Sequence, residues 1–509
     1  MKRVRPRVNV NLPELDQVLE QARQTPLSEG EYPELKDTRH LRVGLLQPTR
    51  TTEKTSAVLA DGDPPLPSAS EVTEKKAPPG PGRNGAAAFT RAQKGVVAHA
   101  DRQAGQRCPA CEKGKGYHQK EPKPLVRLVG PAPVAATVYE RERLRCNACG
   151  QVFPAAEPEE VGPEPYDETT GALMAQLKYG SGVPFYRLEK LQASRGVPWP
   201  ASTQGEIAAE SAELRQPAWQ ELIRQGAPGE VVYNEDTRRR VLHLAREPSD
   251  TRTGVFTSGI VSTRGGQQIA LYFTGRQQAG ENLADVLHER AAELCPPVQM
   301  CDALSRHVPK LASGVEILLA NCLAHGRRQF VDILPNFPSE CRYVLEQLGR
   351  VYGYDADARE QKLTPAERLA FHQQHSAPVM DELHRWLEAQ LAQKKTEPNS
   401  SLGQAITYVV RHWRGLTAFL REMNAPLENN LCERALKRAV LHRKNALFYR
   451  TLHGAEVGDL FMSLIHTCEL SNVNSFEYLT ELQRHARELS AEPARWMPWN
   501  YRQTLTQNA

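Results

Sequence analysis

The sequence contains no apolar run approaching the roughly 18 residues that a membrane-spanning helix needs. Its basic start, MKRVRPRVNVNLPEL, also lacks the apolar core that characterises a secretory signal. We therefore expect a cytoplasmic protein with no membrane partner. In that compartment the ten cysteines are expected to be reduced thiols or metal ligands rather than disulfides.

A strong excess of charge is also absent. The 509 residues carry a formal net charge of only +4, with 24% charged and 40% hydrophobic residues, a composition ordinary for a soluble protein. Bulk charge therefore identifies no nucleic-acid partner, and such a signal has to come from local clusters of basic residues. No internal repeat is visible, and the length predicts about three or four domains.

Composition and hydrophobic pattern divide the chain into segments of different character. They are a weakly helical N-terminal region at 1–60, a disordered linker at 61–100, a cysteine-bearing segment at 101–160, a helical segment at 161–226, a mixed strand and helix segment at 227–336, a helical insertion at 337–425, a helical segment at 426–480 and an irregular C-terminal tail at 481–509.

The segment 227–336 predicts a mixed sheet. Three runs, GEVVYNEDTRRRVLHL, TGVFTSGIVST and QQIALYFTG, are rich in β-branched and aromatic residues and predict a three-stranded meander. ENLADVLHERAAEL predicts a helix, PVQMCDAL a short strand, and VEILLANCLAHGRRQFVDIL a strand that runs into a helix. The order βββαβαβα predicts a mixed sheet flanked by helices.

Short helices broken by Gly-containing turns are predicted in the segment 161–226. This pattern fits a helix-turn-helix unit, and a small helical bundle fits it nearly as well.

Two C-x-x-C pairs, CPAC and CNAC, predict a structural zinc site. Each pair presents two thiolates from one tight turn, and two such turns close a tetrahedral Zn²⁺ site. The spacer between the pairs is longer than usual for this signature, and a ribbon hairpin accommodates it. Zinc ribbons commonly contact nucleic acid, although a solvated basic face is the alternative. The predicted ligands are Cys108, Cys111, Cys146 and Cys149.

Acidic residues stand at places that suit a second metal site. Glu235 and Asp236 end the first predicted strand, Asp302 ends the fourth, and Glu433 begins a late helix. In the predicted strand order the first and fourth strands are neighbours, so their carboxylates can converge. Three carboxylates around one point bind Mg²⁺ through hard oxygen ligands, and two such ions clamp the attacking and leaving oxygens of a phosphodiester.

Each acid also has a purely structural interpretation. Asp236 fits a turn in NEDT, and Asp302 fits the N-cap of a short helix. Glu433 fits a capping box with Asn430 as N-cap, or an ion pair with Lys437 one turn later.

Long motifs give the chain a resemblance to a known family. It resembles the large transposase of insertion sequences of the sixty-six type, which belong to the DDE transposase and integrase superfamily. The resemblance runs from about residue 80 to about residue 480. The stretches that carry it are GRNG, CPACEKGKGY with CNACG, YNEDTRRRVL, QMCDALSR, CLAHGRRQF and PLENNLCERALKRAVLHRKNALF.

The resemblance implies a multidomain α+β protein. An RNase H-like catalytic core would comprise 227–336 and 426–480, interrupted by the helical insertion at 337–425. A zinc ribbon at 101–160 and a helical DNA-binding segment at 161–226 would precede it. The implied partners are DNA, both terminal inverted repeats and target, a second copy of the chain in a synaptic complex, and small accessory proteins; the implied location is the cytoplasm, on DNA.

The family's catalytic acids fall on the pair Glu235 and Asp236, on Asp302 and on Glu433, with Mg²⁺ or Mn²⁺ as cofactor. The family usually shows Asp followed by Asp or Glu at the first position, whereas this chain has Glu followed by Asp. Which of the pair serves as the metal ligand therefore stays open, with Asp236, Asp302 and Glu433 as the expected magnesium ligands.

Basic residues near these motifs are expected to contact DNA phosphates, with a solvated face as the alternative. The candidates, including an asparagine shared with the family, are Arg327, Arg328, Asn430, Arg434, Lys437, Arg438, Arg443 and Lys444.

The leading hypothesis is a transposase that cleaves the ends of its element and joins the freed 3′-hydroxyl to target DNA. A catalytically decayed or accessory DNA-binding protein is the second hypothesis. A metal nuclease that cleaves without joining is the third.

Overall fold

The computed structural model describes residues 133–140, 142–145, 152–154, 165–244, 252–311 and 316–508. Within the predicted ribbon, a short antiparallel hairpin joins β1, Arg143–Arg145, to β2, Val152–Pro154. The four predicted zinc ligands, Cys108, Cys111, Cys146 and Cys149, lie outside the described residues, as do the segments 1–60 and 61–100. The zinc site and the N-terminal helices therefore stay predictions.

A mixed five-stranded sheet organises the described residues, in the order β6–β5–β3–β7–β8. The first three strands are antiparallel neighbours, whereas β7 runs parallel to β3 and β8 parallel to β7. The predicted meander and the pairing of the first and fourth predicted strands are thus confirmed, and so is a mixed α+β fold. The strands are β3, Val231–Arg238; β5, Phe256–Arg264; β6, Gln267–Gly275; β7, Val298–Cys301; and β8, Leu318–Asn321.

The β5–β6 hairpin turns on Gly265 and Gly266, whose φ angles are 54° and 82°. Arg264 pairs with Gln267 across this two-residue turn. Both central residues of such a turn need positive φ, which glycine adopts without strain, so the two glycines set the register of the meander.

A small parallel sheet that the sequence pattern did not predict pairs β4, Val241–His243, with β9, Tyr449–Thr451. It joins the chain just after β3 to the chain just after the late helix that carries Glu433.

Helices from the segment 161–226 pack into the same hydrophobic core as the sheet. Met174 and Leu188 lie in one buried cluster with Leu271 and Tyr272 of β6. Arg215 is fully buried and donates to the carbonyl of Leu479, so this segment is tied to the C-terminal helices. The helices are α1, Glu168–Ala175, extended by a π-helical turn at Gln176–Gly180; α2, Phe185–Ser194; α3, Ala201–Glu213; and α4, Gln216–Gly226.

Two predicted helices flank the strands of the sheet. The run ENLADVLHERAAEL forms α5, Ala279–His288, and the apolar run after it forms β8 followed by α6, Leu323–Val331. Both follow the prediction.

The segment 337–425 is helical, as predicted, and builds a second buried cluster with β7, β8 and α6. Asp355 is buried there against Arg368 and His372, and Arg368 Nη1 also donates to the carbonyl of Ala425 at 3.0 Å. The insertion is thereby tied to the segment that leads to Glu433. Its helices are α7, Pro338–Glu360; α8, Pro365–Ala392; α9, Ser401–Arg411; and α10, Trp413–Leu416.

The segment after the insertion forms α11, Asn430–Ala446, and α12, Leu452–Leu470. α11 packs on β3 and β5, and α12 lies along the outer edge of β6.

Side chains of α12 satisfy the free edge of β6. Thr467 Oγ1 accepts from the amide of Ala270 at 3.1 Å, and Ser463 Oγ from that of Tyr272 at 3.0 Å. Asp459 Oδ2 accepts from the amide of Thr274 at 2.5 Å. Spacing of four residues on the helix matches spacing of two on the strand, since these rise by about 6 and 6.7 Å. An edge covered in this way cannot add a further strand.

The C-terminal segment 481–509 was predicted to be an irregular tail, and this prediction is wrong for the described residues. α13, Ser475–Arg484, is followed by α14, Ala486–Ala491, a 3₁₀ turn at Pro493–Trp496, and α15, Tyr501–Asn508. Trp496 is buried, and its carbonyl accepts from the hydroxyl of Tyr478 at 2.8 Å. The tryptophans and prolines that suggested irregular structure instead form a packed cap.

Within the described ranges, the structure has no helix with the length and apolar character needed to cross a bilayer.

Candidate active site

The site is built where the carboxyl end of β7 lies beside the middle of its parallel neighbour β3. β3 and β7 pair with Val231 opposite Val298 and Tyr233 opposite Met300. Continuing this register by two residues brings Glu235 level with Asp302. The convergence expected from the predicted strand order is therefore provided by the sheet.

Strand alternation separates the two acids of the NEDT motif. Glu235 lies on the side of α11, where Asn429 Nδ2 donates to Glu235 Oε2 at 3.3 Å. Asp236 points to the other face, toward the N-terminus of α5, where the amide of Ala279 donates to its carboxylate at 3.5 Å. Successive residues of a strand face opposite sides of the sheet, so only one of the two can join Asp302 and Glu433 directly.

That Asp236 is a magnesium ligand stays a prediction, and its surroundings differ from those of Glu235. Its carboxylate is already held by Arg306 Nη2 at 3.1 Å and by His307 Nε2 at 3.5 Å. These contacts hold the pKa of Asp236 below its ordinary value even though burial acts to raise it. The geometry assigns the position beside Asp302 and Glu433 to Glu235.

Asp302 follows the last residue of β7 and is fixed by two contacts. The amide of Leu304 donates to Asp302 Oδ1 at 3.2 Å, and His307 Nδ1 pairs with the same oxygen. Burial acts to raise the pKa of Asp302, but the hydrogen bond and charge of His307 outweigh it, so the carboxyl stays ionised. The N-cap interpretation of Asp302 is wrong, because Leu304 precedes the short 3₁₀ turn Ser305–His307.

Glu433 lies in the first turn of α11. The capping-box interpretation is wrong here, because the residue before the helix is Asn429 rather than Asn430, and no side chain caps the helix. Glu433 is partly exposed and lies 3.9 Å from His325, measured from Oε1 to Nδ1. Without a capping role, its carboxylate is available to the site.

Electrostatics show that three carboxyl groups share one locality. Burial, together with the negative charges of Glu433 and Asp302, raises the pKa of Glu235 to about 7. Carboxylates that repel each other in a partly buried site favour binding of a hard divalent cation. Asn429 Oδ1 is also buried and has no hydrogen-bond partner among the described residues. The oxygen-rich donor set therefore fits Mg²⁺ or Mn²⁺.

His307 is a site residue that the sequence pattern did not reveal. Its ring is almost completely buried between Asp302 and Asp236, and its carbonyl accepts from Asn234 Nδ2 and Gln299 Nε2, each at 2.7 Å. Burial acts to lower the pKa of His307, yet the two carboxylates raise it to about 9. A histidine five residues beyond an acid matches no motif, so only the fold identifies this bridge.

The predicted DNA contacts separate into an exposed set and an engaged set. Along α11, residues that share one exposed face are Asn430, Arg434, Lys437 and Lys444. No carboxylate within the described part of the chain forms an ion pair with Arg434, Lys437 or Lys444. This basic stripe begins directly beside Glu433.

Arg327, Arg328, Arg438 and Arg443 lie outside this stripe. Arg327 is buried, so its predicted contact with DNA is not supported, whereas Arg328 is exposed on α6. Arg438 pairs with Glu469, and Arg443 Nη1 donates to Thr237 Oγ1 at 2.7 Å. These last two arginines hold α11 against its neighbours.

Comparison with known proteins agrees with this architecture. The model of the transposase IS66 family matches residues 165–457, more than half of the chain. The match begins at the helical segment before the sheet and ends in α12, so it includes every acid of the site.

Curated relatives come from Sinorhizobium fredii (strain NBRC 101917 / NGR234). Uncharacterized protein y4jD is 27% identical over 379 residues, 71% of this chain and 72% of its own length. Uncharacterized protein y4hP is 29% identical over 201 residues, 37% of this chain and 36% of its own length. Uncharacterized protein y4qI is 24% identical over 347 residues, 65% of this chain and 62% of its own length. From the extent of the family match, this chain belongs to the transposase IS66 family.

Proposed function

We propose that the protein is a DNA transposase that cleaves the ends of its element and joins them to target DNA with the help of Mg²⁺ or Mn²⁺. The observation that carries this proposal is the grouping of Glu235, Asp302 and Glu433: Glu235 lies within β3, Asp302 directly follows the parallel strand β7, and Glu433 lies on the helix packed across them. The strand order, antiparallel over β6–β5–β3 and parallel over β3–β7–β8, supports an RNase H-like core of the DDE type.

The three acids would hold the divalent ions. When bound, such ions activate water or a 3′-hydroxyl and stabilise charge on the attacked phosphate. The chain's own contribution would be to bring three carboxylates into one locality and to keep Asp302 ionised and oriented through His307. The raised pKa of Glu235 is expected to fall to its ordinary range when a cation neutralises its neighbours.

Asp236 and Arg306 would not contact the metal ions themselves but would hold the metal ligand Asp302 in place through His307. Asp236 holds His307 from the side opposite Asp302, and Arg306 holds Asp236. A ligand fixed through a chain of this kind loses little freedom on metal binding, and such outer contacts commonly contribute 10- to 100-fold to metal affinity. Asp236 is thus a positioning residue in this proposal.

DNA would follow the basic stripe of α11. Arg434, Lys437 and Lys444 extend from Glu433 along one exposed face, so a phosphate backbone lying on them passes the acids. Contacts of this kind position DNA without reading its sequence. The zinc ribbon, the helical segment 161–226 and the assembly of a synaptic complex remain further parts of the same proposal.

The test uses Glu433→Gln in the full chain, with DNA that carries the inverted repeats flanking the gene. We expect the variant to bind this DNA like the wild type but to lose Mg²⁺-dependent cleavage and joining. Glu456→Gln, an exposed glutamate of α12, is the matched control and should remain active. Joining by Glu433→Gln at the wild-type rate would refute the proposal.

A second candidate function is a catalytically decayed DNA-binding protein. The observation that favours it is the glutamate at 235, where family members usually carry aspartate. The longer side chain holds a metal less rigidly. If the wild type binds the terminal repeats but cleaves nothing in Mg²⁺ or Mn²⁺, while Glu235→Asp cleaves, the decayed state is established. In the same assays, DNA substrates with labelled ends distinguish a transposase, which joins the labelled end to target DNA, from a nuclease, which only cleaves.

A further inference from the structure

A second group of ligand-type side chains lies beside the carboxylates. Cys322, His325 and Glu433 each offer one ligand atom, and these atoms all lie within 4.8 Å of one another. Cys322 directly precedes α6, His325 lies in the first turn of α6, and Glu433 lies in the first turn of α11. Two helix N-termini therefore bring a sulfur, a nitrogen and an oxygen to one place.

The contacts of these atoms leave the group open to a ligand. Cys322 is buried, and its sulfur accepts from the amide of Asn429 at 3.3 Å. Burial raises the pKa of this thiol even though the hydrogen bond acts to lower it, so Cys322 is a thiol until a metal displaces its proton. His325 Nδ1 is shielded from solvent and has no hydrogen-bond partner in the described part of the chain. A shielded imidazole nitrogen without a partner is uncommon, and a bound ion would satisfy it.

The dimensions are close to those of a tetrahedral site. Bonds of about 2.0–2.2 Å from a zinc ion to nitrogen and oxygen place those two atoms about 3.4 Å apart. His325 Nδ1 and Glu433 Oε1 are 3.9 Å apart. A small rotation of either side chain closes the difference, and both side chains are partly exposed.

The chemistry of the donors differs from that of the neighbouring site. Thiolate and imidazole select Zn²⁺ and similar soft or borderline ions, whereas carboxylates alone select Mg²⁺ or Mn²⁺. Three protein ligands leave the fourth tetrahedral position for water. Glu433 belongs to both groups, so an ion held by Cys322 and His325 competes for this carboxylate with ions of the magnesium site.

We propose that Cys322, His325 and Glu433 bind a Zn²⁺-class ion, and that this ion withdraws Glu433 from the magnesium site. Binding forms a metal–sulfur bond as the Cys322 thiol releases its proton to solvent, with no change of oxidation state. The binding itself is independent of the proposed function. Only its consequence, inhibition of Mg²⁺-dependent joining, rests on that function.

Binding is tested by titrating the full-length protein with Co²⁺, without DNA, and recording the thiolate-to-cobalt charge-transfer absorption. The comparison is between wild type, Cys322→Ser and the control Cys341→Ser, which removes a buried thiol of α7 that is not one of the proposed ligands. The predicted ribbon cysteines are present in all three, so differences report Cys322 alone.

We expect the wild type and Cys341→Ser to bind one equivalent of Co²⁺ more than Cys322→Ser does. Equal stoichiometry and equal spectra in all three proteins would overturn the proposal. If Cys322→Ser does not fold, His325→Gln replaces it, because this partly exposed side chain can be changed without opening the core; an undiminished cobalt stoichiometry in that variant also overturns the proposal.

The consequence is tested by titrating Zn²⁺ into a joining reaction at fixed Mg²⁺. The Zn²⁺ concentration for half-inhibition should rise at least about tenfold in His325→Gln relative to wild type, as expected on losing one ligand of three. If the Zn²⁺ concentration for half-inhibition is the same in His325→Gln as in the wild type, the proposed competition between Zn²⁺ and Mg²⁺ for Glu433 is overturned. If no protein joins DNA at all, the proposed function fails, while the cobalt titration still decides the metal site.

Discussion

At the residue scale, one step along a strand decides which acid serves the site. Glu235 and Asp236 are adjacent, but β3 sends Glu235 toward α11 and Asp236 toward His307. A motif search treats the two acids as interchangeable, whereas the sheet gives them different neighbours. Asp236 supports Asp302 through His307, and Glu235 stands beside Asp302 and Glu433.

The proposed role of Asp236 and His307 in holding Asp302 predicts that replacing either residue raises the Mg²⁺ concentration needed for joining. Asp236→Asn and His307→Gln weaken the hold on Asp302, so the Mg²⁺ concentration for half-maximal joining should rise about 10- to 100-fold. The rate at saturating Mg²⁺ should change much less. Rates measured across a Mg²⁺ titration give both quantities. A variant that lost the maximal rate and kept the wild-type midpoint would speak against a positioning role.

The raised pKa of Glu235 predicts a pH-dependent stability. Its pKa is about 7 in the folded protein and 4.5 ordinarily, so the folded state binds the proton more tightly. The resulting stabilisation is complete below pH 4.5 and is lost as the pH rises through 7. In metal-free buffer, Glu235→Gln should therefore exceed the wild type in stability at pH 8, by at most ~3 kcal/mol, but not at pH 5.

Denaturant unfolding of both proteins at the two pH values measures this difference. Glu456→Gln, whose side chain is exposed, provides the comparison for loss of an ordinary carboxylate. A gap between Glu235→Gln and wild type that is independent of pH would show that Glu235 is not under repulsion from its neighbours.

At the scale of elements, hydrophobic and β-branched patterns predicted most of the framework. VQMC forms a short buried strand, LLAN forms a short strand that is buried only at Ala320 and Asn321, and the Gly-Gly turn sets a hairpin. Each depends on local chemistry that the chain displays. The short β4–β9 pair and the 3₁₀ turn at Ser305–His307 were not predictable. Both arise from contacts between distant segments and have no periodic pattern of their own.

The helix carrying Glu433 illustrates the limit of local rules. NNLCER predicts a capping box with Asn430 as the N-cap. In the structure Asn429 precedes the helix, and its side chain donates to Glu235 rather than capping the helix. Tertiary contacts thus outweigh a capping preference of about 1 kcal/mol. The acids could be named from the sequence, whereas His307, Asn429 and the roles of the 235/236 pair required the fold.

The insertion is predicted to stabilise the segment that carries Glu433. Asp355 is buried among Arg359, Arg368 and His372, and Arg368 also binds the carbonyl of Ala425. Asp355→Asn leaves Arg359 and Arg368 without their buried carboxylate partner and should cost about 3–5 kcal/mol. Urea unfolding measures the loss, with the exposed neighbour Asp357→Asn as control. Equal stability of the two variants would contradict this role.

At the scale of the whole molecule, segments far apart in sequence share one core. The helices before the sheet, the sheet itself and the C-terminal cap contribute to the same buried cluster. The irregular tail expected from PARWMPWNY was wrong because burial of large aromatic side chains, not local propensity, orders this segment.

The C-terminal cap is accordingly predicted to be essential for stability. Trp496 is buried, so Trp496→Ala should lower the free energy of unfolding by about 3–5 kcal/mol. Trp499 is only half-buried, and Trp499→Ala should cost clearly less. Thermal unfolding of the two variants decides between a cap and a dispensable tail. A Trp496→Ala protein as stable as the wild type would contradict the shared core.

The central claim, that Glu235 rather than Asp236 contacts the catalytic ions, is tested most directly by exchanging each acid for cysteine and changing the metal. A thiolate binds Mg²⁺ poorly but accepts softer Mn²⁺. We predict that Glu235→Cys joins DNA in Mn²⁺ but not in Mg²⁺, whereas Asp236→Cys shows no such switch. Joining by Glu235→Cys in Mg²⁺, together with Mn²⁺ rescue of Asp236→Cys, would contradict the claim.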